Sequence, residues 1–364
     1  MSAGSSKNQE MLSTSQFTFI VFGAIVGVGL LSLPNGVVKA AYQDGWISTL
    51  MGIWYPAYIF VAANFIAKKL PKENLMTINK KYFGKYIGAI INFLLFAYFM
   101  IFIAMIASYY TNIIRAFILG FLTPFKVLMV YYMIIIYASY KGMRAIGVIS
   151  EITFYIIIVL VFTSIPALNT GHLTNIMPIT DVSIKALLKG SWQSTFAYTG
   201  GEIIFLMYPF MKDRSKMKAS SIFNLSIIAA IYTWVVFIAI FYFGPDIVEK
   251  FYWSFLEVTD VVTITAINNF RYIFLLLWSL VAFRSGAIYL FGGVCIAKNY
   301  LSEKKINRMY FILYPLLIYI TLKFGNEANR QKLTSLITQI SLTYNLVYIT
   351  VMIIIVFFKE RDKQ

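Results

Sequence analysis

The sequence predicts an all-α integral membrane protein of ten transmembrane helices. They form a five-plus-five inverted repeat in which helices 1 and 6 are broken. Three observations predict it. Hydrophobic residues make up 60% of the 364 and charged residues 13%, with a mean hydropathy of +0.75, too apolar for a soluble globule. Apolar stretches recur at the length a bilayer requires, about 20 residues. Two of them, half a chain apart, are interrupted by glycine-rich segments, Gly27–Val28–Gly29 and Thr199–Gly200–Gly201–Glu202.

In chain order the expected spans are 11–38, 45–67, 86–114, 127–140, 152–171, 186–211, 219–245, 268–297, 309–322 and 333–358. Spans 4 and 9 are short unless flanking residues join them. The first stretch is too long for the core of a signal peptide and contains Pro34, so it reads as span 1. Residues 68–85 are too polar to cross and read as an amphipathic connector. Residues 245–258 are the counterpart on the other side, with Phe251, Tyr252, Trp253 and Phe255 expected in the headgroup interface. The expected organisation is a polar tail over 1–11, one transmembrane domain over 12–358 with repeats at 12–166 and 184–358, and a second tail over 359–364.

The net charge of +16 is explained by its distribution. Twenty of the 31 basic residues fall on segments that share a side with the N-terminus. The Lys68–Lys85 connector, the Lys212–Lys218 loop and the Lys298–Arg308 loop hold most of them. This asymmetry places both termini in the cytoplasm and assigns the basic patches to anionic lipid rather than nucleic acid. One histidine, His172, and one cysteine, Cys295, leave too few ligands for a His/Cys zinc site and no intrachain disulfide. Neither an enzymatic role nor a cofactor is expected.

The breaks carry the functional signal. A helix that unwinds in hydrocarbon leaves backbone groups unmet at several kcal/mol each. Such a break persists only where the freed backbone is buried in protein or lines a polar cavity. Five helices separate the starts of the two halves, so span 6 crosses opposite to span 1, and a ligand site near the midplane is expected between the breaks. Gly27 and Gly29 let the chain leave the helix, and the half-helix from near Leu30 would aim its positive end at a carboxylate.

Two charges lie inside spans. Glu202 opens the second half-helix and is read as a cap, a partner for a ligand ammonium, or a proton carrier. Arg284 sits mid-span in helix 8 and must find an anion or water, because guanidinium does not deprotonate in proteins. A Glu202–Arg284 pair closing the cavity is expected. Tyr98, Tyr198, Ser285 and Tyr289 are further candidates to flank a small ligand. Asn64, Asn92 and Asn112 are expected to bond between helices, and Glu151 to be a solvated residue of the inner face.

Four segments together resemble a known family: GVGLLSLPNG (27–36), DGW (44–46), FGKYIG (83–88) and GGEIIFLMYPFM (200–211). They resemble the B subunit of endospore germinant receptors, permease-like members of the amino acid–polyamine–organocation superfamily. The resemblance implies a LeuT-like fold in the spore inner membrane and assembly with A and C subunits. It also implies a small nutrient ligand, often an amino acid. The ligand site it implies uses Ile25, Val26, Gly27, Val28 and Gly29, then Thr199, Gly200, Gly201 and Glu202, with faces of helices 3 and 8. The chain departs from relatives at Asn268–Asn269 before Phe270–Arg271, where an acidic–Arg pair is usual, and at Arg284, where a small or hydroxyl residue is expected. Three functions remain open at this point. They are a nutrient-sensing receptor subunit, a proton- or ion-coupled amino acid permease, and a scaffold with a vestigial pocket.

Overall fold

The computed structural model describes residues 11–262 and 269–359, so most of both expected tails and Asn268 lie outside the described residues. Helix α1 (Thr14–Ile25) starts at a capping box, in which Ser13 and Gln16 satisfy each other's backbone N–H groups. After the break, Pro34 sits in the first turn of α2 (Leu33–Ala41), where its missing N–H costs nothing. Helices α3 (Gly45–Met51) and α4 (Trp54–Lys69) form span 2.

The polar connector does not lie apart. Helix α5 (Leu75–Phe117) includes most of it and turns into span 3 across a kink at Gly84, whose φ of 80° is in the left-handed region. Helices α6 (Pro124–Tyr140) and α7 (Met143–Phe162) complete the first repeat. The second opens with α8 (Ile184–Tyr198), a break and α9 (Ile204–Met207), followed by α10 (Met217–Phe243).

Two short helices follow, α11 (Pro245–Val248) and α12 (Ser254–Val258). They correct the expectation of an interfacial segment: Trp253 and Phe255 are buried. Ser254 Oγ accepts the Asn35 N–H at 3.1 Å, and the Asn35 amide donates to the Glu249 carbonyl at 2.7 Å. Trp253 and Phe255 therefore pack on protein at the far end of span 1, while Phe251 is half-buried and Tyr252 stays exposed.

Helix α13 (Phe270–Ala297) is span 8, and α14 (Glu303–Leu322) and α15 (Glu327–Lys359) are spans 9 and 10. Spans 4 and 9 gain length from polar flanks that continue the helix, at Pro124 and Glu303. Near the start of α13, Arg271 pairs with Glu257 at 2.6 Å and with Asp260, so its acidic partners come from α12 and the turn after it.

Among the described residues the architecture is thus all-α with ten spans, in two sets of five that each open with a broken helix. Helix α13 is its axis, packed against α5, α6, α7 and α1. On the face holding the N-terminus, a short backbone bridge joins the two broken spans. Leu12 N–H donates to the Phe210 carbonyl at 2.8 Å, and Lys212 N–H to the Leu12 carbonyl at 3.0 Å, which ties the start of span 1 to the end of span 6. Interhelical amides stitch the bundle as expected: Asn64 donates to Ser221 at 2.8 Å, Asn92 to Tyr300 at 2.8 Å and Asn112 to Glu327 at 3.2 Å. Glu151 is half-buried and accepts from Ser15 on α1.

Candidate functional site

At the first break, α1 ends at Ile25, Val26 turns extended (ψ 97°), and a tight turn over Val28–Ser32 leads into α2. Four successive carbonyls lose their place in the helix ladder, and side chains from α10 and α13 replace it. Ser285 Oγ lies 3.2 Å from the Gly23 carbonyl, sharing its proton with the Val281 carbonyl at 3.0 Å, while Tyr289 OH donates to Ala24 at 3.3 Å and Tyr232 OH to Ile25 at 3.0 Å. Arg284 Nη2 donates to Val26.

At the second break, Thr199 is extended, Gly200 is left-handed (φ 114°), and a turn over Gly201–Ile203 leads into α9. Here freed N–H groups need an acceptor, and Glu202 supplies it. Its carboxylate accepts from Gly200 N–H at 2.8 Å, Tyr98 OH at 3.2 Å, the Asn345 amide at 2.9 Å and Tyr55 OH. Gly200 is required on two counts. Its φ is one that side-chain-bearing residues rarely adopt, and a Cβ there would sit 2.2 Å from the Ala24 carbonyl oxygen.

The breaks therefore touch each other at Gly200 and Ala24. They are also tied through one hydroxyl: Tyr232 OH lies 3.0 Å from the Ile25 carbonyl and 2.9 Å from that of Ala197, at the end of α8. The Tyr232 ring packs on Tyr198, centroids 4.9 Å apart, and Tyr198 OH donates to the Thr49 carbonyl at 2.8 Å.

Between the breaks lies a cavity of about 70 Å³. Gly27, Val28, Gly29, Ala197 and Thr199 give it backbone walls, and Phe102, Met105 and Ile106 of α5 an apolar wall. The first N–H groups of the Val28–Ser32 turn face no intrahelical carbonyl, as at any helix start. Its roof is polar. Arg330 stacks over the Tyr109 ring at 4.3 Å and pairs with Glu327. Tyr109 OH and Thr334 Oγ1 are buried without a hydrogen-bond partner. Phe196, Arg330 and Thr334 also line a larger vestibule of about 290 Å³ on the face away from the N-terminus, with Lys39 and Lys189 at its sides.

Of the expected residues, Ile25, Gly27, Val28, Gly29, Thr199, Ser285 and Tyr289 line this cavity. Val26, Gly200 and Gly201 shape the breaks from outside it, and Tyr98 and Tyr198 support them. The expected Glu202–Arg284 pair is not formed. Glu202 turns toward α4, α5 and α15, whereas Arg284 reaches Val26 and Thr153 of α7. Each charge meets backbone at its own break, which removes the need for the other.

Four residues escaped the sequence reading. Tyr232 and Tyr109 are hidden among 26 tyrosines, Phe196 among 32 phenylalanines, and Arg330 lies just before the apolar stretch of span 10. The usable signal was Arg330, which falls three positions before residue 333, inside the first turns of a spanning helix.

A family profile described as spore germination protein matches residues 11–330. Spore germination protein GerQB of Bacillus cereus is 24% identical over 92% of both chains. Spore germination protein YndE of Bacillus subtilis (strain 168) is 22% identical over 87% of this chain and 88% of its own. Among solved structures, MhsT in complex with L-phenylalanine superposes with a TM-score of 0.68 over 94% of this chain and 87% of its own, at 16% identity. That likeness is one of fold.

Proposed function

We infer the function from a plain premise: this chain belongs to the spore germination protein family, and it is a transporter-like, non-enzymatic membrane protein. In our reading it is the B-type subunit of a nutrient germinant receptor. It binds a small ligand, an amino acid by preference, in the cavity between the breaks, and passes the signal to A and C subunits in the spore inner membrane, with both termini cytoplasmic. The observation that carries the reading is the cavity itself. An amino acid has a carboxylate for helix-start N–H groups or for Arg330, and a side chain for the Phe102–Met105–Ile106 wall. A volume of about 70 Å³ favours a small ligand.

Binding shifts the balance of pocket states by the ligand's differential affinity and no more. Closure of Phe196 and Arg330 over the cavity is the movement we assign to it, since both stand between cavity and vestibule. The alternative, an ion- or proton-coupled amino acid permease, would need an exchangeable charge. Glu202 is an unpromising one, because four donors surround it away from the cavity.

The test is germination of spores carrying Met105→Ala or Thr334→Val, across a panel of amino acids and sugars, with subunit levels followed by immunoblot. At normal levels, the effective nutrient concentration should change about tenfold or the preferred nutrient should shift, the size expected for one altered contact of about 1.4 kcal/mol. Unchanged responses at normal levels would remove the cavity from sensing. A scaffold role would require that filling the cavity has no effect on nutrient response.

A further inference from the structure

We propose that Arg284 is a resident cation, a tethered guanidinium that holds the broken end of α1 in the place where an exchangeable metal cation would otherwise be needed. Arg284 is 1% exposed and forms no ion pair among the described residues. Its contacts are neutral oxygens: the Val26 carbonyl, Thr153 Oγ1 at 3.4 Å and Ser285 Oγ at 3.3 Å. Its Nε has no partner.

A buried charge without a counter-ion persists only where dipoles replace water. Those dipoles are on hand. Helix α1 is 12 residues long, and its C-terminal, negative end turns four carbonyls out of the helix ladder, of which Val26's accepts from the guanidinium and those of Gly23, Ala24 and Ile25 accept from hydroxyls. Space for the guanidinium is made by a missing side chain, since a Cβ on Gly23 would lie 2.9 Å from both Cζ and Nε of Arg284. A carbonyl with two hydroxyls and no carboxylate is a weak oxygen set, suited to one positive charge. Guanidinium supplies that charge permanently. The break of span 1 is then formed whether or not sodium is present, and ligand binding needs no metal co-ligand. Arg284 acts on backbone, so it is a positioning residue and not part of the ligand's own contacts.

The test uses the full chain in detergent and reads thermal unfolding, which requires no ligand and stands apart from the nutrient reading. The wild type should unfold at the same temperature in sodium, potassium and choline chloride. Arg284→Ala should unfold several degrees lower, and low-millimolar guanidinium or sodium, but not choline, should restore at least half of the loss. If the alanine variant does not accumulate, membrane levels of Arg284→Lys and Arg284→Met decide the matter. A several-fold excess of the lysine variant supports the proposal, and equal levels overturn it. A wild type stabilised by sodium, an alanine variant as stable as wild type, or one that no cation restores would also overturn it.

Discussion

At the first break, four carbonyls from Gly23 to Val26 leave the helix ladder, and a cation with three hydroxyls meets them. At the second, the freed N–H of Gly200 is met by a carboxylate, which is held in turn by two tyrosines and an asparagine. The two breaks correspond, but the charges sit at opposite helix ends, Arg284 at the C-terminal end of α1 and Glu202 at the start of the turn that leads into α9, and their signs differ accordingly. Carbonyl ends attract cations and N–H ends attract anions. An isolated charge in a span therefore need not have an ionic partner; an unwound backbone suffices.

The largest expected effect breaks the second site. Glu202→Ala leaves two tyrosine hydroxyls and a backbone N–H without the carboxylate, and takes from the Asn345 amide one of its two acceptors, the other being Tyr55 OH at 3.2 Å. At about 1–3 kcal/mol per buried group left unmet, the loss should be about 3–5 kcal/mol. Loss of the protein from membranes by immunoblot is the expected readout. Gly200→Ala comes next, at about 2–3 kcal/mol, because it combines a disfavoured φ with overlap on the Ala24 carbonyl. It should lower the unfolding temperature in detergent and disturb both breaks together, since their backbones touch there.

Tyr232→Phe sharpens the comparison. It removes the hydroxyl shared by Ile25 and Ala197 and should cost about 1 kcal/mol, visible as a small fall in unfolding temperature. If the shared hydroxyl couples the breaks, the same variant also changes the nutrient response at normal protein level.

The span pattern was readable because a bilayer fixes helix length and excludes loops, so apolar runs and basic flanks suffice. Both breaks were readable from glycines inside apolar spans, the second with Glu202 directly beside them. The partners of those charges were not. A sequence shows Glu202 and Arg284 as opposite charges and invites a pair, but it does not display the helix dipoles that each one meets instead. Trp253 and Phe255 failed for a related reason: an aromatic cluster beside a polar loop reads the same whether it rests in headgroups or on a protein end. Tyr232 had no distinguishing signal among so many tyrosines.

The central claim is that each break holds its own counter-charge, and a double-mutant cycle tests it most directly. Glu202→Gln, Arg284→Gln and the double variant would be compared by thermal unfolding of the purified full-length protein. The two losses should add, with a coupling no larger than about 0.5 kcal/mol, as for sites with no shared partner. A double variant more stable than either single one would mean that the two charges depend on each other after all, and would contradict the account.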